Sequence, residues 1–320
     1  MTGDLTINKT PLVIIAGPTA SGKSAAAVEL ALRMNGEVIS ADSMQIYRGM
    51  DIGTAKVTKE EMRGVRHYLI DCADPDENYN VVLFQQKARE AVQEAVSAQK
   101  LPILCGGTGF YIQALLYDID FTEMEENTSL RSRYEALAAE KGPEALHRIL
   151  KEKDPASAAA IHPNNVKRVI RALEFAQVSG GSIAAHNLAQ RERGSAYNSV
   201  FFVLTMDRQK LYERIDRRVD LMMEQGLLDE VTRLRDIGIA RDSTAMQGIG
   251  YKQIYSYLEG DWSLEEAVRL IKRDTRHFAK RQLTWFRREK DVIWVDIDQY
   301  DTKEALYDHL QNTASGMLHR

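Results

Sequence analysis

The run Gly17-Pro18-Thr19-Ala20-Ser21-Gly22-Lys23-Ser24 follows directly on the apolar stretch Leu12-Val13-Ile14-Ile15-Ala16. It fits the pattern GxxxxGK[ST] in the setting that pattern requires, between a strand and a helix. Glycine lets the backbone curl so that successive N–H groups point inward, and a helix opening near Gly22 adds the positive end of its dipole. The stretch therefore reads as a cradle for a di- or triphosphate, with Lys23 on phosphate oxygens and the Ser24 hydroxyl on Mg2+. An ordinary strand-to-helix turn that matches by chance is the alternative. The loop names a class of ligand and no reaction.

Outward from the loop, Leu12 to Gly17 reads as a first strand, Ser24 to Met34 as a first helix, and Glu37 to Ser40 as a second strand ending at Ala41-Asp42. His67 to Ile70 and Pro102 to Cys105 are further strands, with the amphipathic helix Val81 to Gln99 between them. Such alternation predicts an α/β fold with a parallel sheet covered on both faces. Between Thr122 and Ala196 the character changes: Arg131 to Lys141, Glu144 to Lys151 and Asn164 to Val178 are helical patterns with no convincing strand among them. We read 122–196 as a helical insertion domain and 1–121 with 197–320 as the core. Ser199 to Leu204 returns to the sheet, followed by helices over Arg208 to Glu224, Leu227 to Asp236 and Ser263 to Arg288. A last strand, Val292 to Val295, and a helix over Lys303 to Leu310 close the chain.

The chain has 320 residues, enough for one large or two modest domains with a substantial core. Cys72 and Cys105 match no metal or redox spacing and read as two ordinary thiols of a reducing compartment. Met1 to Thr10 is polar and short, and no apolar run approaches the roughly 18 residues of a membrane span. The expectation is a soluble, cytoplasmic protein. A net charge of −4 argues only weakly against a nucleic-acid partner, because local charge decides.

Further segments carry the reading past the loop. Asp42 stands just beyond the second strand, in Ser40-Ala41-Asp42-Ser43-Met44-Gln45-Ile46-Tyr47-Arg48, which continues to Asp51-Ile52-Gly53-Thr54-Ala55-Lys56. Ligands of open parallel sheets sit beyond the carboxyl ends of strands, so Asp42 and the phosphate loop should open into one crevice. A helix N-cap is the competing reading for Asp42. Gly106-Gly107-Thr108-Gly109-Phe110-Tyr111 follows another strand, where glycines often serve only the turn. Lys167, Arg168 and Arg171 cluster in Asn164 to Glu174, as on a solvated face. From Arg269 to Arg288, eight basic residues stand against one acid, Asp274, an asymmetry that a phosphate backbone would neutralise. Trp285 and Phe286 lie within this stretch and could stack on bases or pack a core.

These segments, with Gly248-Ile249-Gly250-Tyr251-Lys252 and Lys280-Arg281-Gln282-Leu283-Thr284-Trp285-Phe286, resemble the successive motifs of the bacterial tRNA isopentenyltransferase (tRNA dimethylallyltransferase) family. The resemblance runs from residue 11 to about 290 with order and spacing kept. Ser24 stands where many members have Thr, and either hydroxyl suits Mg2+. The resemblance implies a P-loop NTPase-like core with a helical insertion domain. It also implies transfer of a dimethylallyl group from dimethylallyl diphosphate to N6 of adenosine 37, in tRNAs reading codons that begin with U.

On the same grounds the phosphate loop would take the diphosphate, and Thr19 would donate to its bridging oxygen. Arg214 and Arg218 would close over the pyrophosphate, or else stand at the surface. Asp42 would accept the N6 proton. Contacts to the tRNA anticodon stem-loop would come from Asp42, Ser43, Met44, Gln45, Thr108, Arg131 and Val166-Lys167-Arg168-Val169-Ile170. Others would come from Gln247-Gly248-Ile249-Gly250-Tyr251-Lys252 and from Lys280, Arg281, Gln282, Trp285 and Arg287. The adenine must leave its stack to react. A monomer without membrane contact is expected. The rival readings are a P-loop kinase of a small molecule, an adenylate isopentenyltransferase and a noncatalytic RNA-binding module.

Overall fold

The structure is a computed structural model that describes residues 9–121, 128–192 and 194–318. It divides into two compact units, Met1–Leu116 with Ala196–Arg320, and Tyr117–Ser195. The expected domain boundary at Thr122 falls outside the described residues.

The first unit is built on strands β1 (Pro11–Ala16), β2 (Gly36–Ser40), β3 (His67–Tyr68), β4 (Leu101–Gly106), β5 (Asn198–Thr205) and β6 (Val292–Asp296). They form one sheet in the order β3-β2-β4-β1-β5-β6, every neighbouring pair parallel. Leu12, Val13, Ile14 and Ile15 of β1 are fully buried, as the uninterrupted aliphatic run of a central parallel strand requires. Ala16 pairs with Gly106 and Ser40 with Cys105, so β1, β2 and β4 end level with one another. The turns that follow them therefore open side by side. β3 stops two residues short of the expected strand, because Leu69 (φ 61°) and Asp71 (φ 52°) turn the chain into the left-handed region.

In chain order the helices are α1 (Lys23–Arg33), α2 (Lys59–Met62), α3 (Val81–Ser97), α4 (Gly109–Leu116), α5 (Thr128–Lys141), α6 (Pro143–Lys153), α7 (Pro155–Ala160), α8 (Val166–Ser179), α9 (Ile183–Glu192), α10 (Arg208–Glu224), α11 (Leu227–Asp236), α12 (Tyr251–Leu258), α13 (Leu264–Phe286) and α14 (Lys303–Leu318). Side-chain caps begin several of them: Asn80 Oδ1 accepts from the N–H groups of Val82 and Leu83, and Ser263 accepts from the Glu266 N–H. Leu306, Leu310 and Ala314 of α14 bury against α1 and the sheet. The second unit holds α5 to α9 around Tyr134, Leu146, Leu150, Val169, Ile170 and Leu173. No described helix is long and apolar enough to cross a membrane.

Candidate active site

After β1 the chain turns at Gly17 (φ 153°), where a Cβ would stand 2.8 Å from the Leu204 carbonyl oxygen. Gly22 (φ 87°) then caps α1. Ala20 holds φ at 65°, a conformation that costs an L side chain energy and persists only under support from outside the loop. The Ser21 N–H donates to the Pro18 carbonyl at 3.3 Å, and Lys23 Nζ folds back toward the same oxygen at 3.5 Å. Burial pulls the Lys23 ammonium below the usual lysine range. Cys105 and Asp42 oppose that shift, while Arg218 adds to it. The loop thus presents a partly desolvated cation with only a weak partner of its own, and the Ser24 hydroxyl beside it is exposed.

No helix begins after Asp42, so it is not an N-cap. Its Oδ1 accepts from the Met44 N–H at 2.9 Å and steadies a turn. Thr108 braces the same turn: its hydroxyl accepts from the Ser43 N–H at 3.1 Å, and its own N–H donates to the Ala41 carbonyl at 3.1 Å. The glycines at the end of β4 and after it are there for close approach. A Cβ on Gly106 would meet the Ala41 carbonyl oxygen at 2.2 Å, one on Gly107 would meet Gln282 Nε2 at 2.2 Å, and one on Gly109 would meet Trp285 Cδ1 at 2.2 Å. Cys105, at the end of β4, is an inert thiol, its pKa pushed up to about 12 by burial.

Thr19, Lys23, Ser24, Asp42 and Arg218 line one cleft of ≈ 1190 Å³. Arg218, on α10, donates to the Thr19 hydroxyl at 3.2 Å. Burial draws its guanidinium below the usual arginine value against the pull of Asp42 and Glu61, yet it remains a cation. Arg214 is exposed and does not line this cleft. It faces Asp298, whose carboxyl is held low by the Asp207 N–H, by Lys210 and last by Arg214. Of the paired arginines, one helical turn apart, only Arg218 reaches the loop.

Glu230 escaped the sequence reading. Its carboxylate, 4% exposed, accepts from the N–H groups of Asp51 (2.9 Å), Ile52 (2.9 Å) and Gly53 (3.0 Å) and from the Tyr251 hydroxyl (2.6 Å). It ties the Asp51–Lys56 turn to the Gly248–Lys252 turn, two walls of the cleft. An acidic residue within an amphipathic helix gives no sign in sequence that it is buried.

Several residues expected to touch RNA are committed elsewhere. Tyr251 is 1% exposed, and Val169 and Ile170 sit inside the core of the second unit, so their side chains cannot meet a nucleic acid. Gln282 is 6% exposed. Arg131 makes paired contacts of 3.1 Å with both oxygens of the buried Glu174. Trp285 is half-buried over Gly109 and meets Phe110 edge-on, and its indole Nε1 has no hydrogen-bond partner among the described residues. The one-sided charge of residues 269–288 is also corrected. Arg269 pairs with Glu266, Lys272 with Asp220, Arg273 with Asp274 and Arg276 with Asp216. Lys280, Arg281, Arg287 and Arg288 remain exposed with no carboxylate partner among the described residues, as do Lys167, Arg168 and Arg171 on α8. Gln247, Ile249 and Lys252 keep some exposure at the rim, with Gly248 and Gly250 buried between them.

Among the described residues no group of three His, Cys, Asp or Glu could hold a metal ion. Mg2+ seldom needs one, since it keeps several waters and binds through one or two protein oxygens plus substrate phosphates. The exposed Ser24 hydroxyl, in the same cleft as Lys23 and Asp42, suits that mode.

Sheet order, loop and cleft together define an α/β protein of the P-loop class with a carboxylate in the same cleft as the phosphate loop. The chain belongs to the IPP transferase family, whose model matches residues 45–289. It is 56% identical over 92% of its length to the tRNA dimethylallyltransferase of Lachnoclostridium phytofermentans, covering 95% of that protein, and 50% identical to that of Acetivibrio thermocellus, covering 94% of this chain and 96% of the other. Among solved structures it is similar to the tRNA isopentenylpyrophosphate transferase of Bacillus halodurans (47% identity, TM-score 0.75, 97% of each chain). It is also similar to a eukaryotic dimethylallyltransferase captured acting on tRNA (28% identity, TM-score 0.78, 95% of this chain and 80% of the other). The resemblance drawn from the motifs is borne out.

Proposed function

We propose that the protein transfers the dimethylallyl group of dimethylallyl diphosphate to N6 of adenosine 37 in tRNAs reading codons that begin with U, giving N6-dimethylallyladenosine and pyrophosphate. The observation that carries this reading is the meeting of Lys23, Thr19, Arg218 and Asp42 in one cleft, within a family whose relatives bear the name tRNA dimethylallyltransferase.

In the reaction the allylic C–O bond breaks, its electron pair stays on the pyrophosphate, and N6 forms the new C–N bond. Negative charge grows on the leaving oxygens. The loop N–H groups, the Lys23 ammonium and the Arg218 guanidinium meet that charge, and the Thr19 hydroxyl, within reach of Arg218, donates to the bridging oxygen. Ser24 would hold Mg2+, which when bound supplies further neutralisation of the diphosphate. N6 is a weak nucleophile because its lone pair is delocalised into the purine. Asp42 orients the amine through its second carboxylate oxygen and takes the proton as the C–N bond forms, while Oδ1 stays with Met44. A flipped adenine reaches this depth more readily from an anticodon loop than from a duplex. Partners on this reading are dimethylallyl diphosphate and the tRNA anticodon stem-loop, bound by a monomer in the cytoplasm.

The test is incubation of the protein with unmodified tRNA, dimethylallyl diphosphate and Mg2+, then mass analysis of the nucleosides. A gain of one C5H8 unit at adenosine 37 is expected. Prenylation of free AMP in preference to tRNA, or phosphate transfer from ATP with no prenyl transfer, would overturn the reading.

A further inference from the structure

The structure assigns Gln282 a task its neighbours in sequence do not suggest. We propose that Gln282 is a positioning residue that sets Thr19, and through Thr19 the geometry at the departing diphosphate. The proposal rests on the prenyl-transfer reading above.

Lys280 and Arg281 are exposed, Arg281 over the Phe278 ring at the edge of the cleft, while Gln282, one step further along α13, is buried. Its Oε1 accepts from the Thr19 N–H at 2.9 Å and its Nε2 donates to the Gly107 carbonyl at 3.0 Å. The two bonds fix the amide's orientation, since a flipped amide would set NH2 against N–H and oxygen against oxygen. Gly107 leaves no room for a Cβ beside this amide. The consequence for Thr19 is specific. Its backbone N–H is withdrawn from the amides that face a phosphate, and its hydroxyl is held on the other side by Arg218 at 3.2 Å. The next residue, Ala20, holds its left-handed φ of 65° and needs outside support. Gln282 supplies a bond adjacent to that strained position, from a helix far away in sequence. Gln282 lines the same cleft, but its Oε1 and Nε2 are each engaged by backbone, so it acts through Thr19.

The test uses Gln282→Met, which keeps length and volume and removes both bonds, and Gly107→Ala, whose added Cβ drives the far end of the Gln282 side chain aside without altering it. Each is made in the full chain, alone and combined with Thr19→Val. The readouts are the single-turnover rate of prenyl transfer, tRNA affinity, the affinity for inorganic pyrophosphate with Mg2+ by calorimetry, and a thermal melt. Each single variant should lose about 10–100-fold in rate, as small displacements of reacting groups do, with tRNA affinity kept within about twofold. Pyrophosphate affinity should fall at least about fivefold. In the Thr19→Val background the same changes should cost less than about threefold, because the hydroxyl they serve is already gone. Fully additive losses, or unchanged pyrophosphate affinity, would overturn the proposal. So would weakened tRNA affinity at an unchanged rate, which would return Gln282 to the RNA surface. Should the wild-type chain transfer no prenyl group, the functional reading fails by itself and the pyrophosphate measurement still decides the role of Gln282. Should Gln282→Met fail to fold, Gly107→Ala carries the test.

Discussion

Lys23 and Asp42 line one cleft, and no ion pair joins them among the described residues. Lys23 is partly desolvated, so an anion at the loop gains more from it than from a lysine in water. Lys23→Ala should therefore lower turnover by about 10²-fold or more, with a thermal melt close to wild type. Near-normal turnover in the folded variant would take the loop out of the reaction. Asp42→Asn keeps an oxygen for the Met44 N–H and so should keep the turn, while losing the ability to take a proton. Turnover should fall about 10²–10⁴-fold with tRNA affinity little changed. If tRNA binding collapses instead, Asp42 holds the substrate and does no proton transfer. These two residues were legible in sequence because each follows a strand closely, and a parallel sheet delivers strand ends to one place. Gln282 and Glu230 were not legible in the same way. Their roles lie in bonds to Thr19, 263 positions away, and to Gly53, 177 positions away, and no local pattern encodes such pairings.

At the scale of elements, the short connections around the cleft hold their shape by buried polar clamps. Glu230 on α11 is the densest of these, one carboxylate serving three backbone N–H groups and the Tyr251 hydroxyl. Glu230→Gln replaces an acceptor oxygen with an NH2 that confronts donors, leaving buried N–H groups unpaired at about 1–3 kcal/mol each. We expect a lower melting temperature, and a KM for tRNA that rises more than kcat falls, since the walls move while loop and Asp42 stay. A steady KM with reduced kcat would place the clamp's effect at the chemistry instead. The long helices and central strands were readable from apolar periodicity, and the helix expected over Ser263 to Arg288 is α13, with Ser263 as its N-cap. α4 and α12 escaped notice because each is only 8 residues long and opens at a glycine-rich motif that reads as turn. The length of β3 was overestimated because Leu69 and Asp71 adopt left-handed φ values, which their side chains do not advertise.

On the scale of the whole molecule, an acidic chain must hold a polyanion, and the internal ion pairs show how the charge is apportioned. The net charge is −4, and the first half of α13 commits its cations to acids of its own unit. Arg276 binds both oxygens of Asp216, at 2.5 and 2.7 Å, and Lys272 pairs with Asp220 at 2.6 Å. The helix end is different: Lys280 and Arg281 are exposed without carboxylate partners among the described residues, on the helix whose Gln282 reaches the phosphate loop. A cation already neutralised by a carboxylate releases no counterion on meeting a phosphate, whereas a free one does. Salt dependence should therefore separate the two halves of one helix. Changing Lys280 and Arg281 together to Ala should weaken tRNA binding and flatten the slope of log affinity against log salt by about one to two units, at about 0.7–0.9 for each phosphate left without its cation. Binding of dimethylallyl diphosphate should not change. Arg276→Ala is the matched control: it should lower the melting temperature, because Asp216 loses its partner, and leave the slope where it was. A flattened slope with Arg276→Ala would mean that the ion pairs reorganise on RNA binding, and an unaltered one in the folded double variant would mean that Lys280 and Arg281 meet no phosphate. The free cations of α8, Lys167, Arg168 and Arg171, would then be the next positions to titrate by the same measurement.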